Sequence, residues 1–250
     1  MSKNYYIIPI FISHQGCPHQ CVFCNQDRIA GKYEEVFAED VRNTIEEYLS
    51  TINKGATVEV SFFGGTFTAI SVAKQKELLE VAREYKQKGL IHKIRLSTRP
   101  DAILPYILGY LKEYQVDIIE LGVQSLDDQV LRKAGRGHSV NDVVIASKLI
   151  KEAGFTLGHQ IMPGLPGDSF EIDIETTKKS IEMRPDICRI YPSLVIKDTP
   201  MEDMYNRGDY VPYSLDEAVY ISGEMLKLYN EAKVKVIRIG LQPTDTITTG

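Results

Sequence analysis

Three cysteines fall within eight residues, Cys17-x3-Cys21-x2-Cys24, and the fourth, Cys188, stands 164 positions later. Thiolates are soft ligands that select zinc or iron–sulfur. They bind deprotonated, so a loop carrying three of them must let their charges meet at a cation. A secreted disulfide framework would be denser and spread along the chain. The spacing also differs from the usual zinc pair, whose Cys-x2-4-Cys or His hooks lie farther apart. A cubane normally takes four thiolates; three leave one iron open, which suits chemistry better than scaffolding. Two plainer uses of the triplet are a zinc knuckle closed by His14 or His19, and three ordinary buried thiols. Cys188 lies in the alternating run Asp186–Tyr191 and reads as a buried structural thiol.

Further polar and Gly-rich signatures sit at intervals along the chain: Gly64-Gly65-Thr66-Phe67-Thr68, Ser97-Thr98-Arg99-Pro100-Asp101, Gly122-Val123-Gln124-Ser125, Gln160 with Met162 to Gly167, and Tyr191-Pro192-Ser193-Leu194. Each has a dull reading. Gly64-Gly65 makes a tight turn before a helix capped by Thr66 or Thr68, yet paired glycines also let a ligand approach bare backbone. Pro163 to Gly167 is turn chemistry. Arg136-Gly137-His138 reads as a solvated loop, or as a guanidinium suited to a carboxylate. Arg132 to Gly137 formally matches the Arg-x-x-Gly-x-Gly turn of acyl-CoA transferases. A short polar helix, Leu126 to Leu131, precedes it in place of the required strand, so the match is accidental.

The elements that position these loops are legible in the apolar pattern. Strand-like runs are Tyr5–Ser13, Thr57–Phe63, Lys93–Ser97, Asp117–Val123, Phe155–Ile161, Ile187–Tyr191 and Val234–Ile239, rich in Ile, Val and Phe. Helical stretches intervene. Ile45, Tyr48, Leu49 and Ile52 share one face, as do Leu78, Leu79, Ala82 and Tyr85. Ser139 opens a helix that Gly154 closes, and Ser214 with Glu217 forms a capping box for a helix running to about Ala232. The repeat, about 27 to 37 residues, is one βα unit per step. Such alternation gives a parallel sheet with right-handed crossovers, with its working loops at the carboxyl ends of the strands. The cysteine loop and the five other signatures then share one rim. The expected fold is α/β, a partial (β/α)6 TIM-like barrel with outer helices, in a single domain over residues 1–250 with an irregular tail at 242–250.

Composition narrows the class. The chain has 250 residues, 43% of them hydrophobic, and a formal charge of −5. That is ordinary globular composition, with no dense basic tract for nucleic acid. The longest apolar stretch, Tyr5 to Ile12, is interrupted by Pro9 and too short to span a bilayer. Lys3 followed by that stretch lacks the small-residue cleavage site of a signal peptide. The expectation is a cytoplasmic chain without a membrane partner.

Taken together, the cysteine triplet with Phe23 before its last cysteine resembles the cluster motif of radical S-adenosylmethionine (SAM) enzymes. Gly64-Gly65-Thr66, Thr98-Arg99-Pro100-Asp101, Glu120 to Ser125, Arg136-Gly137-His138, Met162 to Gly167 and Ile190-Tyr191-Pro192 resemble the radical-SAM domain of the Elongator catalytic subunit and its bacterial relatives. Oxygen-independent coproporphyrinogen III oxidases are a more distant likeness. The resemblance implies that Cys17, Cys21 and Cys24 ligate a [4Fe–4S] cluster whose fourth iron is chelated by SAM. It further places Phe23 near the adenine, Gly64, Gly65 and Thr66 at the SAM ammonium, and Gln124 and Arg136 at the methionyl end. Gln160 would contact the ribose, and Met162 and the backbone around Tyr191 would border the adenine. An electron from an external flavodoxin- or ferredoxin-like donor would cleave SAM to methionine and a 5′-deoxyadenosyl radical, which takes hydrogen from a small molecule or a tRNA substrate. Three departures stand out. Elongator subunits space the first two cysteines farther apart, Ser97 stands where relatives commonly carry Glu, and the sequence stops at Gly250 short of Elongator's acetyltransferase domain, with a tail that reads as the edge of a longer protein. A nonenzymatic module stapled by zinc or a cluster is the competing class.

Overall fold

The computed structural model describes residues 4–12, 17–25 and 35–241. Seven strands form one parallel sheet in sequential order. They are β1 (Tyr5–Ile12), β2 (Thr57–Gly64), β3 (Lys93–Thr98), β4 (Ile118–Gln124), β5 (Thr156–Ile161), β6 (Ile187–Ile190) and β7 (Lys235–Ile239). The helices between them are α1 (Ala38–Thr51), α2 (Val72–Gln87), α3 (Pro105–Glu113), α4 (Asp128–Lys133), α5 (Val140–Glu152), α6 (Phe170–Glu182), α7 (Pro200–Asn206) and α8 (Leu215–Glu231). The expected six units are therefore extended by a seventh parallel strand, β7, paired with β6. The fold is the α/β half-barrel expected of the radical SAM type. Ser13, Gly16, His14 and the tail at 242–250 lie outside the described residues.

Alternation within each strand divides the sheet into two faces. Ile8, Ile10 and Ile12 of β1 join Val58, Val60 and Phe62, Ile94 and Leu96, Ile119 and Leu121, Leu157 and Ile161, and Cys188 and Ile190 in one buried cluster with the helices. The opposite face carries Ile7, Phe11, Glu59, Ser61, Phe63, Arg95, Ser97, Glu120, Gln160 and Arg189, interleaved residue by residue. Strands of a parallel sheet covered on both faces are usually apolar throughout, so this second, polar face is not packed under helices.

The sheet curls towards that face. Laid flat, β2 and β6 would stand about 19 Å apart, at about 4.8 Å per strand. Yet the Arg189 guanidinium of β6 lies 5.6 Å from the centroid of the Phe63 ring on β2. The polar face is therefore the concave interior of the half-barrel.

Local signals account for the helix boundaries. Ser139 and Asp142 cap α5 reciprocally, as Ser214 and Glu217 cap α8. Gly154, at φ +80°, follows α5 in the left-handed region that favours glycine. Two expectations need correction. Helix α2 is capped by Ser71, not by Thr66 or Thr68. Thr68 is instead buried, hydrogen-bonded to the Thr98 hydroxyl at 2.6 Å and donating to the Ala102 carbonyl at 2.7 Å. On α1, Val41 and Ile45 carry the buried stripe and Tyr48 is exposed, because α1 ends within a turn of it and Ile52 is already extended.

Candidate functional site at the carboxyl rim

The cysteine loop is pinned from two sides. The Val22 amide donates to the Ala134 carbonyl (3.0 Å), and the Met201 amide donates to the Val22 carbonyl (2.9 Å). The Asn25 side-chain amide adds bonds to the Lys197 and Asp198 carbonyls. Beneath the loop runs the turn after α4. A Cβ at Gly137 would fall 2.3 Å from the His19 ring, and one at Gly135 3.0 Å from the Gln20 carbonyl oxygen; both glycines have positive φ. The Gly-x-Gly of this accidental acyl-CoA match is thus the cradle of the cysteine loop.

Cys21 is buried, Cys24 half-buried and Cys17 exposed. The Cys21 Sγ accepts from Arg136 Nη1 at 3.3 Å, while Arg136 Nη2 donates to the Gly122 carbonyl at 2.6 Å. Arg136 is accordingly buried, and the solvated-loop reading of this segment is wrong: the guanidinium turns inward because a sulfur and a carbonyl receive it. Cys17 Sγ and Thr66 Oγ1 lie 3.2 Å apart, which brings the glycine-pair block to the first cysteine. A Cβ at Gly64 would meet the Ile12 carbonyl oxygen at 2.9 Å, and its φ is +105°, so the turn demands glycine.

Gln124 ends β4 at φ +68°, a left-handed conformation that costs a non-glycine residue about 1 kcal/mol or more. It sits at a register shift between β4 and β5, and bulges concentrate next to active sites. Its amide and the Arg136 guanidinium flank Gly122, where a Cβ would lie 3.1 Å from each. Gln124 Oε1 and Arg136 Nε are buried without a hydrogen-bond partner among the described residues. Unsatisfied buried polar atoms are costly, and two adjacent ones facing one rim suit a polar ligand. Next to them His138 is held neutral. Burial first, then Arg136 and Arg99, push its imidazole down to about 4.

Phe23, Met162 and Tyr191, distant in sequence, share one small apolar cluster with Val22, Val130, Ala134, Leu165 and Ile172. The Met162 amide donates to the Gln124 carbonyl and the Tyr191 amide to the Ile161 carbonyl, each at 2.8 Å. Ser97 and Gln160 are half-buried on the concave face, Ser97 in register with Glu120 and Gln160 with Gly122. Most of the sequence-derived residues thus fall into three groups, around Cys17, around Cys21 and around Phe23, with Ser97 and Gln160 on the concave face outside them.

Four charged residues below the rim were not foreseen. Arg95 Nε lies 2.7 Å from Glu59 Oε1, and Arg95 Nη1 donates to Glu120 Oε2 at 2.9 Å. Arg189 Nε lies 2.6 Å from Glu120 Oε1, and Arg189 Nη1 donates to the Tyr191 hydroxyl at 3.0 Å. Burial opposes the charge on Arg95, but attraction to Glu59 and Glu120 outweighs it and its pKa is raised. Gly158 of β5 makes the ladder continuous. A Cβ there would lie 3.0 Å from Glu120 Cγ, in the gap across which Arg189 reaches. The available signal was an unpaired charge at alternate positions in strands otherwise fit for full burial.

Residues 11–179 match the radical SAM superfamily, and residues 185–250 match the radical SAM C-terminal domain. The chain belongs to the radical SAM superfamily. It is an enzyme of that superfamily, similar to a tRNA uridine(34) acetyltransferase of Methanocaldococcus infernus (28% identical over 255 residues, 86% of this chain and 48% of that protein). It is also similar to Elongator complex protein 3 of Saccharomyces cerevisiae (30% over 210 residues, 76% of this chain and 38% of that protein). In structure it resembles the archaeal Methanocaldococcus infernus Elp3 with an N-terminal deletion (TM-score 0.77, 23% identical, 98% of this chain and 61% of that one). The chain spans about half or less of the length of these two curated relatives.

The donor set fits a cluster. A cubane spreads its thiolates over separate iron corners, and a loop pinned at Val22 and Asn25, with one buried and two more accessible thiols, can supply them.

Proposed function

We propose that Cys17, Cys21 and Cys24 of this radical SAM enzyme hold a [4Fe–4S] cluster and that the adjoining rim binds SAM. The observation that carries the reading is the buried Arg136, which ties Cys21 Sγ to the Gly122 carbonyl beside the orphaned Gln124 oxygen. With both groups bound, reduction of the cluster by a flavodoxin- or ferredoxin-like donor would cleave SAM to methionine and a 5′-deoxyadenosyl radical. Arg136 would orient Cys21 through its bond to the sulfur, and its Nε and the Gln124 carbonyl oxygen would receive the carboxylate and ammonium of the methionyl end. Gly64, Gly65 and Thr66 offer bare backbone and a hydroxyl beside Cys17, Ser97 and Gln160 offer polar groups to the ribose, and Phe23, Met162 and Tyr191 exclude water around the adenine.

The substrate we propose is an RNA, in keeping with the tRNA-directed name of the Methanocaldococcus infernus relative. We read residues 1–250 as one domain, because a single sheet runs through both matched stretches. Among the described residues no helix is long and apolar enough to cross a membrane, and we place the enzyme in the cytoplasm, where thiols stay reduced.

The test is anaerobic reconstitution with iron and sulfide. The protein should turn brown, bind about four irons, and release 5′-deoxyadenosine from SAM under a strong reductant. Cys17→Ala should abolish that release. A colourless protein holding one zinc and inert towards SAM would overturn the reading in favour of a stapled interaction module.

A further inference from the structure

Thr66 carries a hydroxyl without a local task. It stands at the N-cap of a single 3-10 turn, Phe67–Ala69, where a threonine oxygen normally accepts from an amide of the first turn. Here the side chain makes no cap bond, and the Ala69 amide closes the turn on the Thr66 carbonyl at 3.0 Å. Thr66 is 1% exposed, so solvent cannot stand in for the missing partner. Its Oγ1 turns instead to Cys17 Sγ at 3.2 Å, its one side-chain partner among the described residues. The turn that aims this hydroxyl is fixed independently of the cysteine. The Gly65 amide donates to the Ile12 carbonyl at 2.7 Å, Gly64 leaves no room for a side chain there, and the buried Phe67 ring packs 5.0 Å from that of Phe62. The barrel itself presents the oxygen to the sulfur.

A thiolate bound to iron has no proton to give, so in the loaded protein the hydroxyl must donate and the Cys17 sulfur accept. Cys21 Sγ has a donor too, Arg136 Nη1 at 3.3 Å, but that guanidinium also holds the Gly122 carbonyl. The Thr66 bond is the separable one: neutral, buried and made to a single sulfur. Hydrogen bonds to the sulfurs are among the levers that set a cluster's potential. A donor counts for more once an added electron has made the sulfur more negative, and so it favours the reduced form.

We infer that the Thr66 hydroxyl, by donating to Cys17 Sγ, raises the reduction potential of the cluster and brings its one-electron reduction within reach of the external donor. This rests on the reading that the three cysteines hold a [4Fe–4S] cluster. One electron passes from the reductant to the cluster; no bond is made or broken and no proton moves. Thr66 is a positioning residue that acts through Cys17, and it leaves the SAM ammonium to the backbone of Gly64 and Gly65.

The experiment is an anaerobic redox titration of the reconstituted full chain with dithionite, without SAM, followed by the electron paramagnetic resonance of the reduced cluster. SAM affinity of the oxidised protein is measured beside it by equilibrium dialysis. Thr66→Val keeps the shape and removes the donor. It should lower the reduction equilibrium constant about tenfold, about 59 mV for one electron, and leave SAM affinity unchanged. Thr66→Ser should titrate like wild type. So should Thr68→Val, which removes a buried hydroxyl of the same block that meets Thr98 and Ala102 and no sulfur. A Thr66→Val potential equal to wild type overturns the inference and leaves the cluster reading standing. Weaker SAM binding at an unchanged potential also overturns it, and gives the hydroxyl to the cofactor. An equal drop in Thr68→Val overturns it as a packing effect. If Thr66→Val holds no cluster, Thr66→Ala takes its place with the same expectation; failure of both to hold about four irons would make the hydroxyl an assembly contact and overturn the claim on potential. If the wild-type chain holds no cluster, the cluster reading and the inference fall together.

Discussion

Glu120 is the pivot of the buried ladder, and its replacement by glutamine should show it. The carboxylate is 1% exposed and serves two guanidiniums, Arg95 at 2.9 Å and Arg189 at 2.6 Å. An amide can present its single oxygen to only one of them, and it carries no charge. Arg95 would retain Glu59 at 2.7 Å, whereas Arg189, 10% exposed at the side chain, would lose its carboxylate. Leaving one partner of a buried pair uncompensated costs about 3–5 kcal/mol. The partial exposure of Arg189 and its bond to Tyr191 put Glu120→Gln at the lower end, about 3 kcal/mol. Arg189→Met should cost less, about 1–2 kcal/mol, since Glu120 then keeps Arg95. In the double variant the methionine removes the stranded charge, so the two costs should fall short of their sum by about 2 kcal/mol. The assay is urea unfolding at neutral pH followed by circular dichroism and by tyrosine fluorescence, the chain having 14 Tyr and no Trp. Additive costs, or a Glu120→Gln variant within about 0.5 kcal/mol of wild type, would refute the ladder as a coupled unit.

Three further predictions concern titration. Burial, then the neighbouring Asp168, pushes the Asp173 carboxyl up to about 9, with the Tyr213 hydroxyl donating to it at 2.8 Å. Its folded pKa lies above the unfolded value, so the stability it contributes is complete below about pH 4 and is lost as pH rises towards 9. Asp173→Asn, neutral at every pH, should therefore raise the melting temperature at pH 8 and leave it nearly unchanged at pH 4; equal destabilisation at both would contradict this. Fully buried His159 is pushed down to about 3 by desolvation, with hydroxyls of Ser147 and Ser180 at 3.0 and 2.8 Å. The unfolded chain takes up this proton first, so stability falls as pH drops below about 6.5, by up to about 1.4 kcal/mol per pH unit, and His159→Gln should flatten that limb of a melting-temperature profile. Burial lifts the Cys188 thiol to about 12; in a thiol-reagent titration of the folded, metal-free protein Cys17 should react promptly and Cys188 only after denaturation.

The first six strands were legible because each buries one face against helices, and in the second to sixth the same short apolar run ends in a polar or glycine-rich signature. The caps of α5 and α8 were legible because their hydrogen bonds are local. The alternative that Thr66 or Thr68 caps the helix fails for the converse reason. Their partners, Cys17 for the one and Thr98 and Ala102 for the other, come from different loops, and an early hydroxyl looks like a cap until those loops are brought together. The plainer of the two readings of Arg136, a solvated loop, fails in the same way: a basic residue between two glycines reads as solvent-exposed, and only the fold sets a sulfur and a carbonyl in front of it.

The interior ladder was hidden by something stronger than distance. Glu59, Arg95, Glu120 and Arg189 stand on four strands, and in a flat sheet Glu120 and Arg189 would be two strands, about 10 Å, apart. They pair because the sheet curls and because β5 puts no side chain between them at Gly158. Each charge taken alone is an oddity in its own strand; a parallel strand with a charge on one face tells only that this face is not packed under a helix. The same curvature that closes the ladder turns Phe63 towards Arg189. The rim, built from consecutive residues at strand ends, can be read from order along the chain, whereas the interior depends on closure.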